Sequence, residues 1–386
     1  MKLLLYDMGS YTQKDIADTL ENMGIEYKNV LYTLANIHED AYFKKRIKEL
    51  LAIDNYDAVL SVNYFPILAD ICKESTIPYL SWSYDSPLNI NHIEQTLGYE
   101  TNYVFFFDCV ECEKYWKRGY KNVYHLPLAV NTKRLDAIKV SNEDKLRYQA
   151  DVSMVGQLYK DDFEILLMPL SEYDKGYLNA TIEVQLMLYG AYILDEVLNE
   201  DLLKRMNDAY ASIDGSKLRL TKSELAIMAA KHLTHVERTV LLDILSDEYD
   251  VHLYGPDKEE SLAKVRWHGS AGYFDEMPKV FKESKINLNV SLKCIQSGIP
   301  LRVLDILGCG GFLLTNYQPE IAEYFIDGEE VVMYTSMEDA VAKCHYYLEH
   351  EEERKQIAAN GYQKVKEMFG YQQRIEAMLQ AAGLVM

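Results

Sequence analysis

At 386 residues the chain exceeds the size at which one hydrophobic core usually suffices, so two domains are expected. Hydrophobic residues make up 48% and charged residues 26%, the balance of an ordinary globular protein, and no run reaches the ~18 apolar residues of a membrane-spanning helix. A formal net charge of −20 argues against a nucleic-acid partner, since binding a phosphate backbone relies on neutralisation by Lys and Arg.

The first residues, MKLLLYDMGS, lack a basic start, a long apolar centre and a small-residue cleavage site, and read as a buried first strand with a cytoplasmic location expected. Six scattered cysteines fit reduced thiols. Cys109 and Cys112 form a C-x-x-C without a second pair or a suitably spaced His, so they are read as structural and no metal site is expected.

Through residue 130, β-type runs alternate with helical patterns. The strand candidates are KLLLYD, EYKNVLYTL, DAVLSVNY, IPYLSW, NYVFFFD and NVYHLPLAV, with helices over 15–23, 41–53 and 65–74 between them. Strands separated by helices imply right-handed βαβ units and a parallel, doubly wound sheet. Ligands of such sheets sit beyond the strand carboxyl ends. That directs attention to Gly9, Ser10 and Tyr11 after the first strand, and to Tyr84 and Asp85 in SWSYDSP. Asp85 can serve as a general base for a hydroxyl, although Asp and Ser before Pro equally stabilise a turn.

A second series runs DVSMVGQLY, DVHLYG, VRWHG, INLNV, GFLLTN and VVMYT. Between its first two strands lies an insertion, about 163–248, that is helical in pattern throughout. It reads as a helical subdomain beside the cleft or as a homodimer surface, in either case away from the nucleotide. From Glu351 a polar amphipathic helix runs to the carboxyl end. The architecture is therefore α/β, with two Rossmann-like halves and a cleft. The domains expected are 1–148, 149–360 and a final helix over 361–386 that packs back on the first domain.

The sharpest motif is QSGIPLRVLDILGCGGFLLTNY, residues 296–317. Pro300 suits a helix start, and the amides and dipole there favour an anion. Arg302 adds a fork for phosphate oxygens, and Asp305 an acceptor for paired hydroxyls such as those of a ribose. Together they describe a nucleotide diphospho-sugar. The alternative is a surface i,i+3 ion pair worth ~0.3 kcal/mol.

This block, with RWHGSAGYFDEMPKVFKESKINLNVS before it and EEVVMYTSMEDAVAKCHYYLEHEEERKQIAANG after it, resembles the donor half of GT-B glycosyltransferases. More closely it is similar to the CgeB-like, spore-maturation-type family, and SWSYDSP, NYVFFFD and VYHLPLAVN extend the likeness to the first half. The resemblance implies a metal-independent glycosyltransferase of hexosyl type, with no cofactor and a nucleotide sugar, a UDP-sugar foremost, as co-substrate. Its acceptor would be a surface polymer, glycan or protein. Many retaining members carry two acidic residues eight positions apart. The second falls on Asp305 and the first on Ser297, which is not acidic, so inversion or retention stays open.

By the same resemblance Gly156, Tyr254, Gly255, His268, Gly269, Tyr273, Ser297, Gly298 and Ile299 join Arg302 and Asp305 around the donor. Trp267 is expected in the core. Lys160 and Arg302 steady the departing diphosphate, and Asp85 is the catalytic base on the acceptor side, with Gly9, Ser10, Tyr11 and Tyr84. Asp161 and Asp162 could be mistaken for a cation-holding pair, but the two-domain layout argues against that. The rival readings are a nucleotide-sugar epimerase on the same scaffold and a non-catalytic nucleotide-sugar binding protein.

Overall fold

The computed structural model describes residues 1–160, 163–213 and 215–384. It divides into two compact units, Met1–Thr132 with Val365–Met386, and Lys133–Lys364.

The first unit alternates β1 (Lys2–Asp7), α1 (Gln13–Asn22), β2 (Glu26–Leu31), α2 (Ala41–Ile53), β3 (Ala58–Val62), α3 (Pro66–Ser75), β4 (Tyr79–Ser83), α4 (Glu94–Leu97), β5 (Asn102–Phe106), α5 (Cys109–Trp116) and β6 (Val123–His125). All pairings are parallel, in the order β2-β1-β3-β4-β5-β6. β3 and β4 are buried along their whole length, mostly apolar with small serines between, as strands covered by helices on both faces are. The run NVYHLPLAV forms a strand only over its first residues, because Pro127 has no N–H to extend the ladder. Asp40 and Asp108 start α2 and α5 by accepting backbone N–H bonds from Phe43 and Val110.

The second unit continues through α6 (Thr132–Asp136), α7 (Asn142–Tyr148), β7 (Ala150–Val155), α8 (Phe163–Leu167), α9 (Glu172–Met187), α10 (Leu194–Val197), α11 (Glu200–Ala211), α12 (Lys222–Ser246), β8 (Val251–Tyr254), β9 (Arg266–Trp267), α13 (Met277–Glu283), β10 (Ser284–Asn289), α14 (Leu301–Gly308), β11 (Leu313–Asn316), α15 (Pro319–Tyr324), β12 (Val332–Tyr334), α16 (Met337–Glu349) and α17 (Glu351–Met368). The chain returns to the first unit inside α17, between Lys364 and Val365, and α18 (Tyr371–Ala381) follows in that unit. The sheet order, β12-β11-β10-β7-β8-β9, is the dinucleotide-binding arrangement, with connections running outward in both directions from the β7–β10 pair. Residues 133–148 are fastened to this unit: Lys282 Nζ donates to Leu135 O at 2.7 Å, and Lys279 pairs with Asp144 at 2.9 Å.

Two expectations need correction. The carboxyl-terminal segment is not one helix. It breaks at Phe369-Gly370, where Gly370 is extended (φ −74°, ψ 147°). The break lets buried Phe369 accept from Val130 N–H and brings the Tyr371 ring within 6.0 Å of Trp82. Nor is the helical insertion of 163–248 wholly a subdomain of its own. Leu178, Leu202, Met206, Tyr210 and the first half of α12 form a separate core, whereas Leu241, Leu242 and Leu245 of the same helix pack under the sheet. α12 starts from a Thr221–Glu224 capping box, and its 25 residues span ~37 Å. It is thus both a part of the insert and the crossover helix into β8.

Candidate functional site

The crevice of the second sheet opens where β7 and β10 diverge. Gly156 follows β7, and its N–H donates to Tyr254 O at 2.9 Å. Any Cβ on Gly255 would collide with the Gly156 carbonyl, so these two strand ends approach only because residue 255 is glycine. Tyr254 is buried and lies against exposed His268, with ring centroids 4.7 Å apart and planes within 10°. Desolvation by this packing, then nearby His252, holds the His268 pKa below the ordinary imidazole value. Its ring is therefore neutral near pH 7. Gly269 follows with φ +75°. Trp267 is 40% exposed, contrary to the core position expected, because β9 is a two-residue edge strand.

The approach to α14 is held from several sides. Lys293 N–H donates to Thr234 Oγ1 at 3.0 Å, and Gln318 Nε2 to Ile295 O at 3.0 Å. Ser297 donates its hydroxyl to buried Glu320 at 2.7 Å, and Glu320 N–H returns a bond to Ser297 O. Ser297, Gly298 and Ile299 are all buried. α14 starts at Pro300 without a side-chain cap. Arg302 is 3.4 Å from Asp305 and lies 5.5 Å over the Phe281 ring, beside the Met277 sulfur. The Asp305 side chain is only 3% exposed and accepts from Tyr273 O–H at 3.1 Å. The exposed i,i+3 pair considered from sequence is therefore ruled out: Asp305 is a buried carboxylate bonded from two sides. Lys160 is exposed and pairs with Glu259 at 3.3 Å. Asp161 and Asp162 lie outside the described residues.

In the first unit the predicted residues collect at one edge of its sheet. Gly9 has φ +90°, and its N–H donates to Asp7 at 2.8 Å; Ser10 and Thr12 hydroxyls are 2.8 Å apart, and Tyr11 is exposed. Asn63, just past β3 with φ +63°, clasps the end of β4. Its Oδ1 accepts from Tyr84 N–H at 2.8 Å, and its Nδ2 donates to Asp85 at 2.7 Å. Asp85 is exposed, while buried Ser86 donates to Asp108 at 3.0 Å.

Residues 235–380 match a protein-family model described as glycosyl transferase-like. No curated protein sequence matches the chain. Among solved structures it resembles HepE from Anabaena in complex with UDP-glucose, 10% identical over 100% of both chains with a TM-score of 0.58. It also resembles sucrose-phosphate synthase from Thermosynechococcus elongatus, 10% identical over 98% of each chain with a TM-score of 0.57. A third is the UDP-forming α,α-trehalose-phosphate synthase from Burkholderia xenovorans, 12% identical over 99% of this chain and 98% of that one, TM-score 0.52.

The fold is that of the GT-B glycosyltransferases. Within the second unit the structure brings Tyr273, Arg302 and Asp305 into one cluster and Gly156, Tyr254, Gly255 and His268 into another. It also shows a group that sequence reasoning missed. Fully buried Glu237 accepts from Tyr189 O–H at 2.9 Å and Tyr334 O–H at 3.0 Å, and lies 2.5 Å from Lys293 Nζ. Next to it, Arg238 donates to Val290 O and Gln157 O at the ends of β10 and β7. The available signal was the position of Glu237 in α12, at helical spacing from Ala230, Leu233, Leu241 and Leu245 on the apolar stripe.

Proposed function

We propose that the protein is a metal-independent glycosyltransferase that takes its sugar from a nucleotide diphosphate, a UDP-sugar foremost, held at the carboxyl edge of the second sheet. The observation that carries this is Arg302 at the start of α14, beside buried Asp305, in a fold of this class. A helix amino terminus and a guanidinium suit a diphosphate without a cation, because both act on charge that grows as the leaving group departs. The HepE structure in complex with UDP-glucose supports the choice of nucleotide.

In the proposed reaction an acceptor hydroxyl oxygen bonds to the anomeric carbon, and the bond from that carbon to the β-phosphate oxygen breaks. The electron pair leaves with UDP, and Asp85 takes the hydroxyl proton. Asn63 suits that role by holding the Asp85 carboxylate in place. The acceptor proposed is a surface polymer, glycan or protein, and the finer placement with the spore-maturation-type enzymes rests on the sequence blocks. The test is release of UDP from a panel of UDP-sugars, with and without acceptors and in excess chelator. Turnover that needs an acceptor and survives chelation is expected. Isomerised donor without acceptor would indicate an epimerase, and activity restored only by manganese or magnesium would refute the cation-free mechanism.

A further inference from the structure

We infer that Arg238, a residue of the crossover helix α12 and so of the insertion expected to lie away from the nucleotide, is a second cation that, with Arg302, meets the phosphates of the donor; the inference rests on the nucleotide-sugar reading of this site. Three observations converge. The first is position. β7 and β10 are neighbours at the centre of a sheet whose connections run outward from them, and the crevice between such strands is where a doubly wound sheet takes its ligand. Arg238 bridges the two strand ends there: Nε donates to Val290 O at 3.1 Å, Nη2 to the same oxygen, and Nη1 to Gln157 O. A Cβ on Gly156 would stand 3.3 Å from Nη1, so the glycine predicted at the donor lies directly beside this guanidinium.

The second observation is a charge imbalance. Arg238 is 8% exposed, and no carboxylate among the described residues lies within ion-pair distance of it. Its neighbour in sequence, Glu237, is engaged at 2.5 Å by Lys293, and Asp305 by Arg302. Desolvation pushes the Arg238 pKa down; Tyr159, Tyr334 and the Glu237 carboxylate act against it, and the like charge of Arg302 acts with it. A buried cation with no carboxylate of its own in ion-pair contact is costly, so these strand ends suit an anion.

The third is donor capacity. A guanidinium has five N–H groups, and the carbonyls of Val290 and Gln157 take three. The remaining two suit phosphate oxygens, with the Tyr159 ring 4.9 Å from the guanidinium carbon. Lys160, by contrast, is exposed and paired with Glu259.

The experiment is calorimetric titration of the full chain with uridine, UDP and inorganic pyrophosphate, in wild type, Arg238→Gln and Lys160→Ala, with melting curves to check folding. Arg238→Gln should weaken UDP and pyrophosphate at least tenfold and uridine less than twofold, a larger loss than Lys160→Ala causes. If Arg238→Gln does not fold, Arg238→Lys is read instead, with a loss of at least threefold for pyrophosphate. Folded variants that bind pyrophosphate like wild type would overturn the inference. So would an equal loss of uridine and UDP, which would mean that Arg238 only fastens the two loops. Wild-type binding of pyrophosphate without UDP would count against the glycosyltransferase reading and leave the anion site standing.

Discussion

Replacing Glu237 by Gln isolates one charge. The Glu237 side chain is 0% exposed and that of Lys293 7%, with 2.5 Å between Oε2 and Nζ. Gln retains an oxygen to accept from Tyr189 and Tyr334, so the two hydroxyl bonds survive. What disappears is the counter-charge of a buried ammonium, and breaking a buried pair on one side costs about 3–5 kcal/mol. For a unit of this size, 2–4 °C per kcal/mol gives a melting transition lowered by roughly 6–20 °C. Scanning calorimetry should show the loss in Glu237→Gln, and most of it recovered in the double variant with Lys293→Met, which removes both charges. A Glu237→Gln protein melting within 2 °C of wild type, or a double variant as unstable as the single, would refute the reasoning.

Asp305→Asn should weaken UDP binding and also destabilise the fold by about 1.5–3 kcal/mol, since a buried charged acceptor for Tyr273 and Arg302 is lost; parallel melting and titration measure both. Asp85→Asn should lower the transfer rate at least tenfold while leaving UDP affinity within twofold, and an unchanged rate would remove Asp85 as the base. Bonds from the Ser141 N–H, then Lys279 and the Ser141 hydroxyl, hold the Asp144 pKa down at about 2 from 3.8. Because the folded value is the lower one, its contribution to stability is present above pH 3.8 and fades as pH falls toward 2. Acid unfolding of Asp144→Asn should therefore begin from a lower plateau but change less across that window than wild type.

The two sheets were legible because fully buried parallel strands such as AVLSV and YLSWS are mostly apolar runs broken only by small serines, and helices between them allow little besides a doubly wound sheet. QSGIPLRVLDILGCGG was legible for a related reason: Pro300 and the glycines mark where a helix begins and ends. Burial was not. Spacing alone cannot distinguish Arg302 and Asp305 on a surface from the same pair with Tyr273 bonded behind it, since Tyr273 arrives from a separate loop. The double role of α12 was hidden because both of its cores are apolar, and only the charges at 237 and 238 mark where one ends and the other begins.

The central claim is that the carboxyl edge of the second sheet holds a nucleotide sugar through α14. Calorimetric titration of the full chain with UDP-glucose tests it most directly, in wild type and in Arg302→Ala. Saturable one-to-one binding is predicted, unaffected by chelator and weakened at least tenfold by Arg302→Ala in a protein that still folds. No binding of UDP-glucose or of any other UDP-sugar, or binding that Arg302→Ala leaves unchanged, would contradict it.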